Sequence, residues 1–179
     1  LVQSFDAVPG GGRFTIAVNH LKSKGSPCVD SGDVNQADGQ GNCNLTRTRA
    51  AAALVDWLDT DPTGSGDADI LVMGDLNAYL REDPVVAFEE AGYVNLLASR
   101  VGVDAYSFVF DAQSGALDHA LASPALAKRV AGTAVWHINA DEPALYDYNL
   151  DFDRDTDVFD ANSPRRSSDH DPVIVGIDP

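Results

Sequence analysis

The chain has 179 residues, with 12 lysines and arginines against 28 aspartates and glutamates, so its formal charge is −16. That length suits one domain, and 44% hydrophobic residues are enough to build a core, which excludes compositional disorder. The charge excludes a protein that grips a phosphate backbone through a basic stripe of its own. Metal ions are therefore expected to supply much of the positive charge wherever an anion is bound.

The first third of the chain predicts a hairpin, a long loop and a helix. An apolar run at residues 1–5, a glycine-rich turn at 6–12 and an alternating run at 14–21 are typical of two paired strands. Residues 25–43 lack any periodicity and predict a loop. Apolar residues recur at helical spacing from Asn44 onward, so we expect an amphipathic helix there.

The rest of the chain predicts strands alternating with short helices. The expected strands lie at residues 70–73, 106–110, 117–122, 135–138 and 173–177. Asp83 is expected to cap a helix that Gly92 ends. The runs at 106–110 and 117–122 flank a Gln-Ser-Gly turn and predict a second hairpin. This mixture indicates an α/β sandwich in which strands dominate.

Two polar segments adjoin predicted buried strands. The sequence GDLN at 74–77 follows one strand, so Asp75 and Asn77 can face one cleft, where a carboxylate binds a hard cation or accepts a proton and an amide orients water. The alternative is a turn in which both side chains satisfy only the backbone. The sequence SSDHDP at 167–172 precedes another strand, and its histidine between two aspartates suits a general base or a metal ligand. The alternative there is a solvated surface turn.

Two further histidines lie in strand patterns. Asp118 is flanked by apolar residues, and burying it is costly unless a partner such as a histidine pairs with it. His119 alternates to the opposite strand face, so it is not expected to share a cleft with Asp118. His20 ends the strand at 14–21, where it could contact a phosphate oxygen or protonate a leaving group, or serve only a structural purpose.

The loop before the first helix carries both cysteines of the chain. Cys28 and Cys43 lie on either side of it, and a disulfide is favoured over two free thiols. A disulfide would imply an oxidising compartment and a secreted or extracellular protein. Oxygen ligands for a structural Ca²⁺ could come from Asp30, Asp33, Asn35 and Asp38. The spacing is not that of an EF-hand, and a solvated loop pinned by the disulfide is the favoured alternative.

Together these segments resemble the endonuclease/exonuclease/phosphatase superfamily, whose fold is that of the deoxyribonuclease-I-like enzymes. The family's motif order is matched by NHLKS at 19–23, GDLN at 74–77, LDH at 117–119 and SDHDP at 168–172. The chain is also similar to bacterial extracellular nucleases through HLKSKG at 20–25, DGQGNCN at 38–44 and YSFVF at 106–110. The resemblance implies the C-terminal part of a four-layered α/β sandwich, with two mixed β-sheets flanked by helices.

The resemblance implies a metal-dependent phosphodiester hydrolase, a secreted nuclease in which water attacks DNA or RNA in line. Asp169 and Asp75 would bind Mg²⁺ or Mn²⁺. His170 would be the acid/base residue, oriented by Asp118. The catalytic residues that it implies are His20, Asp75, Asn77, Asp118 and His170. Whether Asp75 or His170 removes the proton from water stays open, as does the preference for DNA or RNA.

One family feature has no counterpart in the chain. The family's domains begin with a strand that carries an asparagine and then a glutamate that binds metal, and neither precedes Leu1. Glu82, Glu89 and Glu90 are expected on a surface helix and do not replace it. Residues 1–179 are thus expected to form such a domain without its N-terminal half, either as a fragment that needs that half or as an impaired module. A phosphomonoesterase or a phospholipid-headgroup hydrolase of the same fold remains the alternative.

Overall fold

The computed structural model describes residues 1–8, 10–151 and 153–178. Pro9, within the turn predicted at 6–12, therefore lies outside the described residues, as do Phe152 and Pro179. The α-helices are α1 (Asn44–Leu58) and α2 (Asp83–Glu90). The strands are β1 (Val2–Asp6), β2 (Arg13–His20), β3 (Ile70–Asp75), β4 (Val94–Asn95), β5 (Phe108–Phe110), β6 (Gln113–Gly115), β7 (Asp118–Ala122), β8 (Val130–Val135) and β9 (Val173–Ile177).

A five-stranded sheet in the order β1-β2-β3-β7-β4 forms the centre of the fold. Its strands β2 and β3 run parallel, while every other neighbouring pair is antiparallel, so this sheet is mixed as predicted. β2 and β3 therefore end at the same edge of the sheet, and β7 begins there. Strands β8 and β9 form a separate antiparallel pair, and β5 and β6 form another.

The sheet separates two apolar cores, which gives the predicted α/β sandwich. One core lies between the sheet and the helices, and it includes Ala17, Ala51, Leu58, Val72, Val85, Phe88, Tyr93 and Leu121. The other lies on the opposite face, beneath β8 and β9, and it includes Leu71, Leu96, Leu97, Ala120, Leu126 and Val130. No helix of the described residues has the length and apolar character needed to cross a bilayer.

Helix α1 begins at Asn44, as its periodicity predicts, and the loop before it supplies its cap. The carboxylate of Asp33 accepts hydrogen bonds from the backbone N–H groups of Leu45 (3.2 Å) and Thr46 (2.6 Å). A negative charge at this end satisfies otherwise unpaired donors and complements the helix dipole. Cys28 and Cys43 form a disulfide, which fixes this loop against the helix and confirms the favoured pairing.

The predicted hairpin between 106–110 and 117–122 is wrong. β5 turns back through Asp111 and Ala112, both at positive φ, and pairs with residues 113–115, which were predicted to be the turn. Gly115 pairs with Phe108 in this hairpin, and the position favours glycine because a Cβ atom there would come within 2.5 Å of Cε1 of Tyr79. The glycine thus serves close packing, and β7 is free to enter the central sheet between β3 and β4.

Two other expectations need correction. The strand predicted at 135–138 lies earlier, at β8, because the backbone N–H groups of residues 138–140 are bound by the carboxylate of Asp171 instead of a neighbouring strand. Glu82 is not on an exposed helix face, since it is 8% exposed and pairs with Lys24 at 2.5 Å. Glu89 and Glu90 are exposed, as predicted.

Candidate active site

Three adjacent strands bring polar side chains into one row at an edge of the central sheet. His20, the last residue of β2, lies opposite Asp75 of β3, and Asp75 lies opposite Asp118 of β7. Side chains of residues that are directly opposite one another point to the same face of a sheet. His20 Nε2 lies 3.3 Å from Asp75 Oδ2. Strand pairing therefore assembles a histidine and two carboxylates from distant parts of the sequence.

His170 joins this row through the segment before β9. Its Nδ1 lies 2.6 Å from Asp118 Oδ2, and its backbone forms a single antiparallel bridge with Phe108. A carboxylate accepts hydrogen bonds, so Nδ1 is the donor. The other ring nitrogen, Nε2, is then available to gain or lose a proton. Burial lowers the pKa of His170, but the hydrogen bond and charge of Asp118, with the charges of Asp75 and Asp169, raise that pKa above its ordinary value overall. A histidine held by an aspartate in this way can exchange a proton through its other ring nitrogen.

Asp75 and Asn77 form a compact turn that also faces the cleft. The Asn77 backbone N–H donates to Asp75 Oδ1 (2.6 Å), and its side-chain Nδ2 donates to Asp75 Oδ2 (3.1 Å) and to the carbonyl of Leu21 (3.0 Å). Asn77 has a φ of 47°, a conformation that asparagine tolerates well. Burial raises the pKa of Asp75, and the nearby charge of Asp118 adds to this. Both sequence interpretations therefore apply, because these side chains satisfy the backbone and also line the cleft.

The cleft beside this row has a volume of about 770 Å³. It is lined by His20, Ser23, Lys24, Gly25, Asp75, Asn77, Tyr79, Phe108, Phe110, Leu117, Asp118, Ser168, Asp169 and His170. The structure therefore places His20, Asp75, Asn77, Asp118, Asp169 and His170 in one cavity. His119 does not join them, because it points to the buried opposite face and its Nε2 bonds the carbonyl of Ala78 at 2.7 Å.

A family model described as the endonuclease/exonuclease/phosphatase family matches residues 5–170. The chain belongs to this family. Members of the family are generally hydrolytic enzymes that act on phosphate esters, which agrees with the acids and histidines of the cleft. No curated protein matches the sequence.

Two solved structures are similar to this chain. An endonuclease/exonuclease/phosphatase family protein from Bacteroides thetaiotaomicron has a TM-score of 0.60 and 17% identity, over 97% of this chain and 54% of that chain. The human Nocturnin catalytic domain, solved with a bound sulfate anion, has a TM-score of 0.49 and 17% identity, over 75% of this chain and 42% of that chain. The first likeness confirms the fold. The chain spans about half the length of the structures it matches.

Enzymes of the endonuclease/exonuclease/phosphatase family typically use divalent metals, and the cleft offers part of a suitable donor set. Within the described residues, no group of three or more histidine, cysteine, aspartate or glutamate side chains is placed to hold a metal ion. Mg²⁺, however, is often bound by one or two carboxylates together with waters and substrate phosphate. Asp169 lines the cleft, and its carboxylate makes no hydrogen bond or ion pair within the described chain. Asp169 and Asp75 both line the cleft and supply carboxylates of the kind that such a partial site uses, although both oxygens of Asp75 also accept hydrogen bonds from Asn77.

The side chains considered for a structural Ca²⁺ have other uses in the described loop. Asp33 caps α1, Asn35 Oδ1 accepts from the N–H of Ala37 (2.8 Å), and Asp38 Oδ1 accepts from the N–H of Gln40 (3.0 Å). Asp30 is exposed in the middle of a short 3-10 helix, Val29–Ser31. Local hydrogen bonds thus account for most of these oxygens, which supports the solvated loop pinned by the disulfide.

The sequence did not single out Ser107, a fully buried residue that holds Asp118 in place. Its hydroxyl donates to Asp118 Oδ2 (2.7 Å) and accepts from the N–H groups of Leu117 (3.2 Å) and Asp118 (3.1 Å). Its backbone carbonyl accepts from the N–H of Asp171 (2.8 Å). Ser107 thereby links the strand that carries Asp118 to the segment that carries His170. A serine in an apolar run was the only signal for this contact.

Asp171 was likewise missed, and its role is to hold the chain after β8. Its Oδ1 accepts from the N–H groups of residues 138, 139 and 140 (3.1, 2.8 and 2.9 Å), and its Oδ2 lies 2.8 Å from Nδ1 of His137. Burial raises the pKa of Asp171, but these hydrogen bonds lower it below the ordinary range overall. The aspartates on either side of His170 therefore have different uses, since Asp169 faces the cleft and Asp171 supports the fold.

Asp171→Asn is expected to destabilise the protein in a pH-dependent way. The folded pKa of Asp171 is lowered, so its contribution is present above the ordinary carboxylate pKa and is lost as pH falls through the folded value. We expect the free energy of unfolding to fall by about 1–3 kcal/mol at neutral pH and by a smaller amount at about pH 3, which lies below the ordinary carboxylate pKa. Urea unfolding at both pH values measures this. An equal loss for Asp171→Asn at both pH values would contradict the assignment.

Proposed function

We propose that the protein is a secreted, metal-dependent nuclease that hydrolyses phosphodiester bonds in DNA or RNA. The observation that carries this is the row of His20, Asp75 and Asp118 with His170 at its end, in a cleft that also holds Asp169. In this row, His20 and His170 could act on the phosphate as acid or base, and the carboxylates could take part in proton transfer and cation binding. The disulfide between Cys28 and Cys43 supports the proposed extracellular location.

The residues of the row have distinct proposed roles in attack by water. His170 exchanges a proton at Nε2 while Asp118 holds Nδ1 and stabilises the charged ring. Asn77 fixes the carboxylate of Asp75, which orients the water. His20 is largely exposed at the end of β2, and it contacts the scissile phosphate. A divalent cation held by Asp169 and Asp75 would neutralise charge on the phosphate oxygens.

Hydrolysis by the purified protein tests this proposal. Plasmid DNA, single-stranded RNA, a phosphomonoester and phospholipid vesicles would be offered with Mg²⁺, with Mn²⁺ and with chelator. We expect metal-dependent cleavage of nucleic acid and little release from the other two substrates. Release of phosphate or headgroup without nucleic-acid cleavage would favour the phosphatase alternative.

Ser107→Ala is expected to impair catalysis beyond its effect on stability. The substitution removes the hydroxyl that fixes Asp118, so His170 loses its orientation, and we expect kcat to fall by about 10-fold to 100-fold. The free energy of unfolding should fall by about 1–3 kcal/mol. Steady-state kinetics and thermal melting measure the two effects.

Ser123→Ala is the matched control for Ser107→Ala. The Ser123 hydroxyl also makes three hydrogen bonds, to the carbonyl of Ala68 and with the N–H groups of Ile70 and Leu126, but it lies away from the cleft. We expect a similar loss of stability with kcat unchanged. If both variants lost activity in proportion to stability, Ser107 would have no special role in positioning Asp118.

A further inference from the structure

An aromatic ladder leads outward from His170 along the wall of the cleft. The ring of Phe108 lies 4.7 Å from that of His170, and the ring of Phe110 lies 6.2 Å from Phe108 at an interplanar angle of 9°. Phe108 and Phe110 are two residues apart in β5, so their side chains lie on the same face of the strand, and both line the cleft. The proposed catalytic histidine is therefore continuous with a flat apolar surface.

The hairpin that carries these rings is held on three sides. Asp111 and Ala112 form a two-residue turn at positive φ, a geometry that matches the twist of paired strands. The backbone of Phe108 bridges to His170. Gly115 packs so closely on Tyr79 that no side chain fits there. The rings are thus fixed relative to His170, so a group bound on them is held at a set distance from the reacting phosphate.

Phe110 is a large apolar side chain that the fold leaves mostly exposed. It is 62% exposed, at the outer end of the ladder. Exposed aromatic rings in a cleft are typical of sites that stack flat ligands, and stacking of one base on such a ring contributes about 1–3 kcal/mol.

The cleft offers few cations to grip a phosphate backbone. Among the described residues that line it, Lys24 is the only lysine or arginine. Its ammonium is bound to Glu82 and lies 4.4 Å from the centre of the Tyr79 ring. With a chain charge of −16, affinity for a polyanion must come from metal ions and from contacts that do not depend on charge. The ladder supplies such contacts.

We propose that Phe110, with Phe108 beneath it, stacks the nucleobase next to the scissile phosphate, so that the preferred substrate is an unpaired strand. This rests on the proposed nuclease function. In a duplex both faces of each internal base are already stacked and its edges are paired, so a base reaches Phe110 only after it leaves the helix, which costs a few kcal/mol. An unpaired strand presents its bases without that cost.

Equilibrium binding tests whether a nucleobase stacks on the aromatic ladder, and it does not depend on turnover. Fluorescence anisotropy with Mg²⁺ would compare a labelled single-stranded oligonucleotide with its duplex, in an Asp118→Asn background that prevents hydrolysis. We expect Phe110→Ala to weaken single-strand binding about 10-fold and duplex binding less than about 2-fold, while Phe110→Trp retains binding. The salt dependence of binding should not change, because the ring carries no charge.

Trp136→Ala is the matched control, since Trp136 is 57% exposed but does not line the cleft. It should bind both oligonucleotides like the parent. If Phe110→Ala lost equal affinity for the single strand and the duplex, or lost none, the proposed stacking on the aromatic ladder would be wrong, while the nuclease function would be unaffected. A parent protein that neither binds nor cleaves nucleic acid would overturn the proposed function, and the proposed stacking with it.

Discussion

Replacing His170 by alanine is expected to lower kcat for phosphodiester hydrolysis by about 1,000-fold or more, with little change in KM. The reason is that Nε2 of His170 is the group placed to exchange a proton in the cleft, with Nδ1 held 2.6 Å from Asp118. Asp118→Asn should approach the same loss, because an amide can neither stabilise the charged ring nor enforce its tautomer. Single-turnover kinetics at saturating Mg²⁺ would measure the chemical step directly.

His137→Ala is the control for His170→Ala. His137 also pairs through Nδ1 with an aspartate, Asp171, at 2.8 Å, but it does not line the cleft. Its substitution should leave kcat within about 3-fold of the parent when activity is measured well below the melting temperature. Comparable losses for both histidines would mean that the His170–Asp118 pair is not the catalytic one. The double variant of His170 and Asp118 should be little worse than either single variant, because the two residues act as one unit.

Gly74→Ala is expected to cause the largest loss of stability, about 3–5 kcal/mol, and with it the loss of activity. Gly74 has a φ of 128°, and a Cβ atom there would lie 1.9 Å from the carbonyl oxygen of Asn19, its partner on the parallel strand β2. That oxygen belongs to the backbone, so it cannot rotate away. Strands β2 and β3 would have to separate just before His20 and Asp75. The substitution would therefore disrupt the pairing of the central sheet and the position of the candidate site residues at the same time. Urea unfolding measures the effect.

Two other glycines separate the causes of that loss. Gly102 has nearly the same φ, 127°, but no atom within 4 Å of its Cβ position, so Gly102→Ala reports backbone strain alone. Gly132 has neither a positive φ nor a neighbour within 4 Å, so its replacement by alanine should cost little. We expect the destabilisation to decrease from Gly74 through Gly102 to Gly132. A Gly74→Ala protein within about 1 kcal/mol of the parent would contradict the close approach.

Local patterns predicted much of the fold because they report local physics. The alternating run before His20, the apolar run before Asp75 and the periodicity after Asn44 each mark a strand or helix that the structure contains. The position of the candidate residues in one cleft was predictable because most of them adjoin a strand end, and strand ends meet at sheet edges. The narrower resemblance to extracellular nucleases stays a prediction, since the comparisons support the family and the fold.

The errors arose where a residue's role depends on a distant neighbour. Gly115 was taken as a turn residue because its packing against Tyr79, 36 positions earlier in the numbering, leaves no local trace. Asp171 ends a motif that looks catalytic, yet it binds backbone 31 to 33 residues away. Ser107 acts on Asp118 across 11 residues. A single sequence carries local preferences, and these contacts exist only once the chain has closed on itself.

The mixed order of the central sheet has a consequence for how the protein folds. The contact between His170 and Asp118 closes a loop of 52 residues, and the parallel pairing of His20 with Asp75 joins residues 55 apart. Neither can form by local collapse, so the cleft should be completed late on the folding pathway, after the hairpin of β1 and β2 and after helix α1. In refolding experiments, recovery of catalysis should therefore lag behind recovery of the far-ultraviolet signal of secondary structure.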